Sequence, residues 1–350
     1  MIQLETQLAL PQGATVLQAL RAHALEHEIA PEIDTPDAFA FSFQGNRLSF
    51  RLSVGRLCIG LTAVSPNTLY FLKETVAHHL EELAPAAAAQ LRWPDPIPRH
   101  PPNFRLLRVT GRMRPCAGLT RLELAGGDLD PLTRDGLHVK LMRPADPGRA
   151  PVWPGVAASG ATRWPEGADR LHVRYFTLRA VDPVRGRVLI DFVDHPGGQI
   201  SDWARRAAPG DEIGVMGPGG GLLPGTGRPL ILLGDLTALP AMARILESLP
   251  CGHPGQVIAA LPEGADYLPA DRLDPVFLPP DRFAEDALAP LAQALALWPG
   301  AHLWVGAEQR MARAARDLAA ALPAAQKEIG SYWRKGQRGD ARRETHDDDL

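Results

Sequence analysis

Between Arg174 and Met242 the order of patterns leaves few architectures open. Two runs alternate apolar and polar residues, Arg174–Val181 and Arg187–Val193, as half-buried strands do. A Gly-Gly turn and a short helical segment around Trp203 follow, then a strand at Glu212–Met216 and a glycine-rich loop. A continuously apolar strand, Pro229–Leu233, empties into Gly234-Asp235-Leu236-Thr237-Ala238 and a new helix. From Arg228 onward strands alternate with helices: strands at Gln256–Leu261 and His302–Val305, helices at Leu239–Leu249, Ala284–Leu297 (kinked at Pro290) and Glu308–Leu322. That alternation implies parallel βαβ units with right-handed crossovers.

The first half reads differently. Residues 1–93 carry a helical pattern at Val16–Glu28, strands at Ala38–Phe43, Arg47–Leu52 and Arg56–Val64, and a helix opened by Ser65-Pro66. They form a small α+β domain. The proline-dense 94–102 is a linker. Strands at Leu106–Arg112, Thr120–Ala125 and Leu137–Met142, joined to those of the central stretch, make a six-stranded antiparallel barrel over 103–227, interrupted by a long loop from Pro144 to Asp169. An α/β parallel-sheet nucleotide-binding-like domain covers 228–336. The aromatic Lys327–Gly336 docks back on it, and the charged 337–350 is expected to be disordered.

The 350 residues suit two or three domains. A net charge of −3 gives no reason to expect nucleic acid or a membrane surface as partner. Cys58, Cys116 and Cys251 form neither a metal spacing nor an even disulfide set. With no leader pattern and no apolar run of about 18 residues, a cytoplasmic protein, not inserted in a membrane and monomeric, is expected.

On Arg174–Thr177 an arginine and an aromatic share one strand face, which suits a flavin pyrophosphate and ring; an ordinary barrel strand with an exposed arginine is the competing reading. His195–Ser201 places glycines before a helix, either as an anion cradle or as a plain turn capped by Ser201. Gly217–Gly221 tempts a dinucleotide fingerprint, but the next element is a strand rather than a helix, so it reads as a connecting loop. Gly234–Ala238 lies at the carboxyl end of the first α/β strand, where open sheets bind ligands, though simple capping explains it too. His23, His27 and His79 on two predicted helices form a weak metal candidate against the reading as partly exposed structural histidines.

These residues resemble the siderophore-interacting protein family, FAD-dependent ferric-siderophore reductases of the ferredoxin-NADP reductase-like superfamily. The resemblance rests on HVKL at His138–Leu141, R-x-[aromatic]-T at Arg174–Thr177, DFV-x-H at Asp191–His195, W-A-x-x-A-x-P-G-D at Trp203–Asp211, Gly217-Pro218, GD-x-TALPA at Gly234–Ala241 and YWR-x-G at Tyr332–Gly336. It implies FAD held by Arg174, Tyr175, Phe176, Thr177, Asp191, Phe192, Val193 and His195. To these it adds Gly197, Gly198, Gln199, Ile200, Ser201 and Trp203 in the turn and helix, with Asp235, Thr237 and Ala238 at the sheet corner. It implies NAD(P)H or reduced ferredoxin as electron donor and an anionic ferric siderophore as substrate, met by Lys140, Arg334 and Lys335. Phe176 stands where the family usually has Tyr, Gly219 where it often has a basic residue, and Leu236 where it often has an acid. The N-terminal part resembles a small domain of unassigned function. Two other readings stay open: a generic flavin reductase with another acceptor, and a non-catalytic binder of flavin, siderophore or iron.

Overall fold

The computed structural model describes residues 1–336 apart from 27–29, 44, 135, 196 and 222. His27 and the tail 337–350 therefore lie outside the described residues. The chain divides into two compact units, residues 1–104 with 148–171, and residues 105–147 with 172–350.

In the first unit, strands β1 (Ile2–Ala9), β2 (Ile33–Thr35), β3 (Ala38–Phe43), β4 (Asn46–Ser53) and β5 (Arg56–Ala63) form an antiparallel sheet in the order β1-β5-β4-β3-β2. Helices α1 (Gly13–Glu26), α2 (Pro66–Leu83) and the short α3 (Pro85–Ala88) belong to the same unit. The Ser65 hydroxyl caps α2 by accepting from the Thr68 amide at 3.1 Å. Leu17, Phe39, Ile59, Leu72 and Leu80 share one core. The two outer strands, β1 and β2, are additions to the expected set. Residues 94–102 carry neither helix nor strand, as proline dictates.

The second unit starts with the barrel strands β6 (Phe104–Met113), β7 (Leu119–Ala125) and β8 (His138–Pro144). After β8 the chain leaves the barrel. Residues 148–171, expected as a barrel loop, belong to the first unit and form a short antiparallel pair, β9 (Gly155–Val156) and β10 (Thr162–Arg163). The chain returns as β11 (Leu171–Asp182), β12 (Arg187–Val193), helix α4 (Gln199–Ala204) and β13 (Glu212–Gly219). The barrel closes in the order β11-β12-β7-β6-β13-β8.

Strands β14 (Leu230–Gly234), β15 (Gly255–Ala260), β16 (Asp274–Leu278), β17 (His302–Glu308) and β18 (Lys327–Trp333) follow, all parallel, in the order β16-β15-β14-β17-β18. Helix α5 (Leu239–Ser248) follows β14. Edge strand β16 was not expected, because Pro275 inside it argues against a central strand; at an edge proline is tolerated. The helix expected to kink at Pro290 breaks earlier, at Ala287, into α6 (Phe283–Asp286) and α7 (Leu288–Leu297), with Pro290 in the first turn of α7, where a missing N–H costs nothing. The helix after β17, α8, is shorter than expected, Gln309–Leu318. Among the described residues no helix is long and apolar enough to cross a membrane.

Candidate active site

Barrel and sheet meet through two buried polar clusters. The first centres on Asp191 of β12, whose carboxylate accepts from Arg121 Nε at 2.6 Å and from a second Arg121 nitrogen at 2.7 Å. The Tyr267 hydroxyl, from the loop after β15, donates to the same carboxylate. The guanidinium carbons of Arg121 and Arg179 each lie 5.8 Å from the Tyr267 ring centroid. Burial and the neighbouring carboxylate push the Tyr267 phenol well up. Expected as a cofactor residue, Asp191 here joins barrel to sheet.

The second cluster crosses from β11 to β18. The Thr177 hydroxyl lies 3.2 Å from His138 Nδ1, and His138 Nε2 lies 3.1 Å from the Tyr332 hydroxyl. Burial and Arg244 lower His138 to about 4, so the imidazole is neutral at pH 7. The Tyr332 ring stands edge-on to Trp304. The sequence marked Thr177 but gave no role to His138 or Tyr332, which meet only through tertiary register.

Around Thr177 the set continues. Tyr175 is 47% exposed, with the Lys140 ammonium 5.5 Å from its ring centroid, while Arg174 stands on the same strand. Phe176 packs 4.7 Å from Phe192, which is fully buried in the barrel core. Val193 packs at the edge of the sheet-side core. His195, Gly197 and Gln199 are exposed, whereas Ile200, Ser201 and Trp203 are buried. Ser201 Oγ donates to the Gly198 carbonyl at 3.1 Å and lies 3.4 Å from His195 Nε2. A Cβ on Gly198 would sit 2.3 Å from both the His195 ring and Ser201 Oγ. Gly198→Ala is accordingly expected to push His195 off Ser201 and to destabilise the protein by about 1–3 kcal/mol, as overpacking does, seen as a lower urea midpoint. An unchanged midpoint would show that the turn relaxes freely.

At the sheet corner, Asp235 Oδ1 accepts from the Thr237 amide at 2.8 Å and its hydroxyl at 2.5 Å, and Oδ2 from the Glu308 amide at 2.9 Å and Trp333 Nε1 at 2.8 Å. Burial pushes this carboxyl up against those donors. Ala238 is fully buried, and a Cβ on Gly234 would strike Met242 and Ala238, so these residues are small for helix packing. Leu236 packs in an apolar cluster with Cys116, Val193 and Tyr332. Trp333, Arg334 and Lys335 are exposed, and the Lys335 amide donates to Glu308 at 3.2 Å. In the first unit, the His23 and His79 rings lie 4.4 Å apart, yet among the described residues no group of three or more His, Cys, Asp or Glu is arranged to hold a metal.

On one face of β11, Tyr175 with the Lys140 ammonium beside it and Thr177 held by a neutral histidine offer a ring, a cation and a hydroxyl that fit a planar, anionic, nitrogen-rich cofactor of the FAD class.

Comparison with known proteins points to the same cofactor class. Residues 108–222 match the family described as Siderophore-interacting FAD-binding domain, residues 228–336 that described as Siderophore-interacting protein, and residues 5–94 an uncharacterized protein conserved in bacteria. An Escherichia coli (strain K12) protein named NADPH-dependent ferric-chelate reductase is 37% identical over 45% of this chain and 61% of its own length. The match thus spans about three-fifths of that relative. A siderophore utilization protein from T. fusca is similar at 27% identity and TM-score 0.52, over 69% of this chain and 97% of that one. A siderophore-interacting protein from Aeromonas hydrophila is similar at 25% identity and TM-score 0.52, over 69% of this chain and 94% of that one. With two adjoining siderophore-interacting segments on a closed barrel and a parallel sheet, the chain belongs to the siderophore-interacting protein family.

Proposed function

We propose that this chain is an FAD-dependent reductase that passes electrons from NAD(P)H to iron(III) held in an anionic chelate of the siderophore class. The observation that carries the reading is the line Thr177–His138–Tyr332, which brings the carboxyl edge of the parallel sheet onto the barrel strand that holds Arg174, Tyr175 and Phe176. A reductase needs that juxtaposition, because the nucleotide donor and the flavin must share one cleft.

Bound FAD would supply the conversion from a two-electron hydride donor to one-electron acceptors. One NAD(P)H then serves two ferric ions and releases one proton. In this proposal Arg174 neutralises the pyrophosphate, Tyr175 lies against the ring system, Phe176 backs the strand from the barrel core, and the Thr177 hydroxyl is oriented by His138. Lys140, Arg334 and Lys335 attract the anionic chelate, and iron(II) leaves because hard oxygen donors hold it more weakly. NADPH is favoured by the name of the E. coli relative; reduced ferredoxin is the other donor to try.

Purified protein is expected to carry flavin absorbance that bleaches on adding NADPH and returns on adding a ferric chelate, with iron(II) trapped by a chromogenic chelator. No bleaching with NADH, NADPH or reduced ferredoxin would remove the enzyme assignment and leave a binder.

A further inference from the structure

The excursion 148–171 is seated in the first unit by contacts more specific than loop packing requires. The Thr162 hydroxyl lies 2.6 Å from the Tyr70 hydroxyl and donates to Glu74, which also accepts from the Thr162 amide at 3.3 Å. Trp93 Nε1 donates to the Ser159 carbonyl at 2.8 Å, and Ala161 packs on the unit's core. Gly160 has φ +87, and a Cβ there would come within 2.7 Å of Lys73 Cβ and 3.1 Å of Trp93 Nε1. Lys73 is itself buried, its ammonium 2.5 Å from Asp95 and 5.6 Å from the Trp93 ring centroid, so α2 and the 93–95 segment form a rigid wall. The mouth of the excursion is drawn together by an Arg149–Asp169 ion pair at 2.7 Å. The chain then runs straight into Leu171, the first residue of β11, the strand that bears Arg174–Thr177.

We propose that the N-terminal unit is a receptor for the Ser159–Thr162 segment of its own chain, and that by gripping this segment it fixes the start of β11. The contacts sort by function. Tyr70 and Glu74 read one hydroxyl, Trp93 reads one carbonyl, and the wall accepts only glycine at the second position, as peptide recognition by a groove requires. Holding the excursion removes chain entropy that would otherwise loosen the strand it feeds. Its consequence for catalysis rests on the reductase reading; the grip and its effect on β11 do not.

The test is hydrogen–deuterium exchange of the full chain, with and without added FAD. Gly160→Ala, which combines a left-handed φ with a methyl against Lys73, is expected to raise exchange across 153–164 by about tenfold or more and across 172–177 with it. Thr162→Val, which keeps shape and removes only the shared hydroxyl, covers the case in which the alanine variant misfolds, and is expected to act in the same direction more weakly. The proposal is overturned if 153–164 opens while 172–177 stays protected, or if 153–164 stays protected in both variants. A chain that binds no FAD yet shows the coupled opening would sink the reductase reading and leave this one standing.

Discussion

Asp191→Ala is expected to destabilise the barrel–sheet unit by about 3–5 kcal/mol, because it strands a buried guanidinium and a buried phenol at once. The Asp191 side chain has 0% exposure and the Arg121 side chain 16%. Water can therefore replace little of what the carboxylate provides. Asp191→Asn keeps the volume but has only one acceptor oxygen for two guanidinium donors and a hydroxyl, so it should fall between alanine and wild type. Tyr267→Phe leaves the Asp191–Arg121 pair intact and should cost about 1–3 kcal/mol, the value of a hydrogen bond to a charged group. The order Asp191→Ala, Asp191→Asn, Tyr267→Phe in urea midpoint is the readout. If alanine costs under about 1 kcal/mol, the cluster does not join the two folds, and a direct cofactor role for Asp191 regains ground.

The second large effect is pH-dependent and belongs to His138. Its ordinary value of 6.5 is lowered to about 4 in the fold by burial, with Arg244 adding to the same direction. Between those values the unfolded chain binds a proton that the folded chain refuses, so stability rises with pH through this window and is lost as pH falls from 6.5 towards 4. The full loss amounts to about 3 kcal/mol. His138→Gln, which cannot titrate, should flatten that part of the stability profile. A slope equal to wild type would mean that His138 is solvated and that the Thr177–Tyr332 line is open. Direction matters in the line as well. With the imidazole neutral, a Tyr332 O–H donating to Nε2 makes Nδ1–H the donor to Thr177, which turns the Thr177 O–H outward.

Local pattern made the architecture legible because each element obeys its own period. Ala38–Phe43 and Arg187–Val193 stand where alternation put them, and Ser65-Pro66 opens its helix. Gly217–Gly221 opens no helix, but Gly217–Gly219 extend β13 instead of forming the connecting loop expected there. Strands β2 and β16 escaped because they bury little and carry weak pattern, whereas β1, Ile2–Ala9, alternates cleanly in both sequence and burial and was legible by its period of two. The polar clusters were less legible for a different reason. Tyr332 meets His138 across 194 residues, and Asp191 meets Tyr267 across 76. No spacing rule spans such separations, so the sequence could mark Asp191 and Asp235 as chemically pointed without showing that both face protein donors.

The discontinuity of the first unit also orders events at the ribosome. Its Tyr70 and Trp93 have no Thr162 or Ser159 to hold until residue 162 is made, and by then β6, β7 and β8 have already been synthesised. The first unit therefore makes its last contacts only after part of the second has been synthesised, so the two are interleaved rather than successive products of translation.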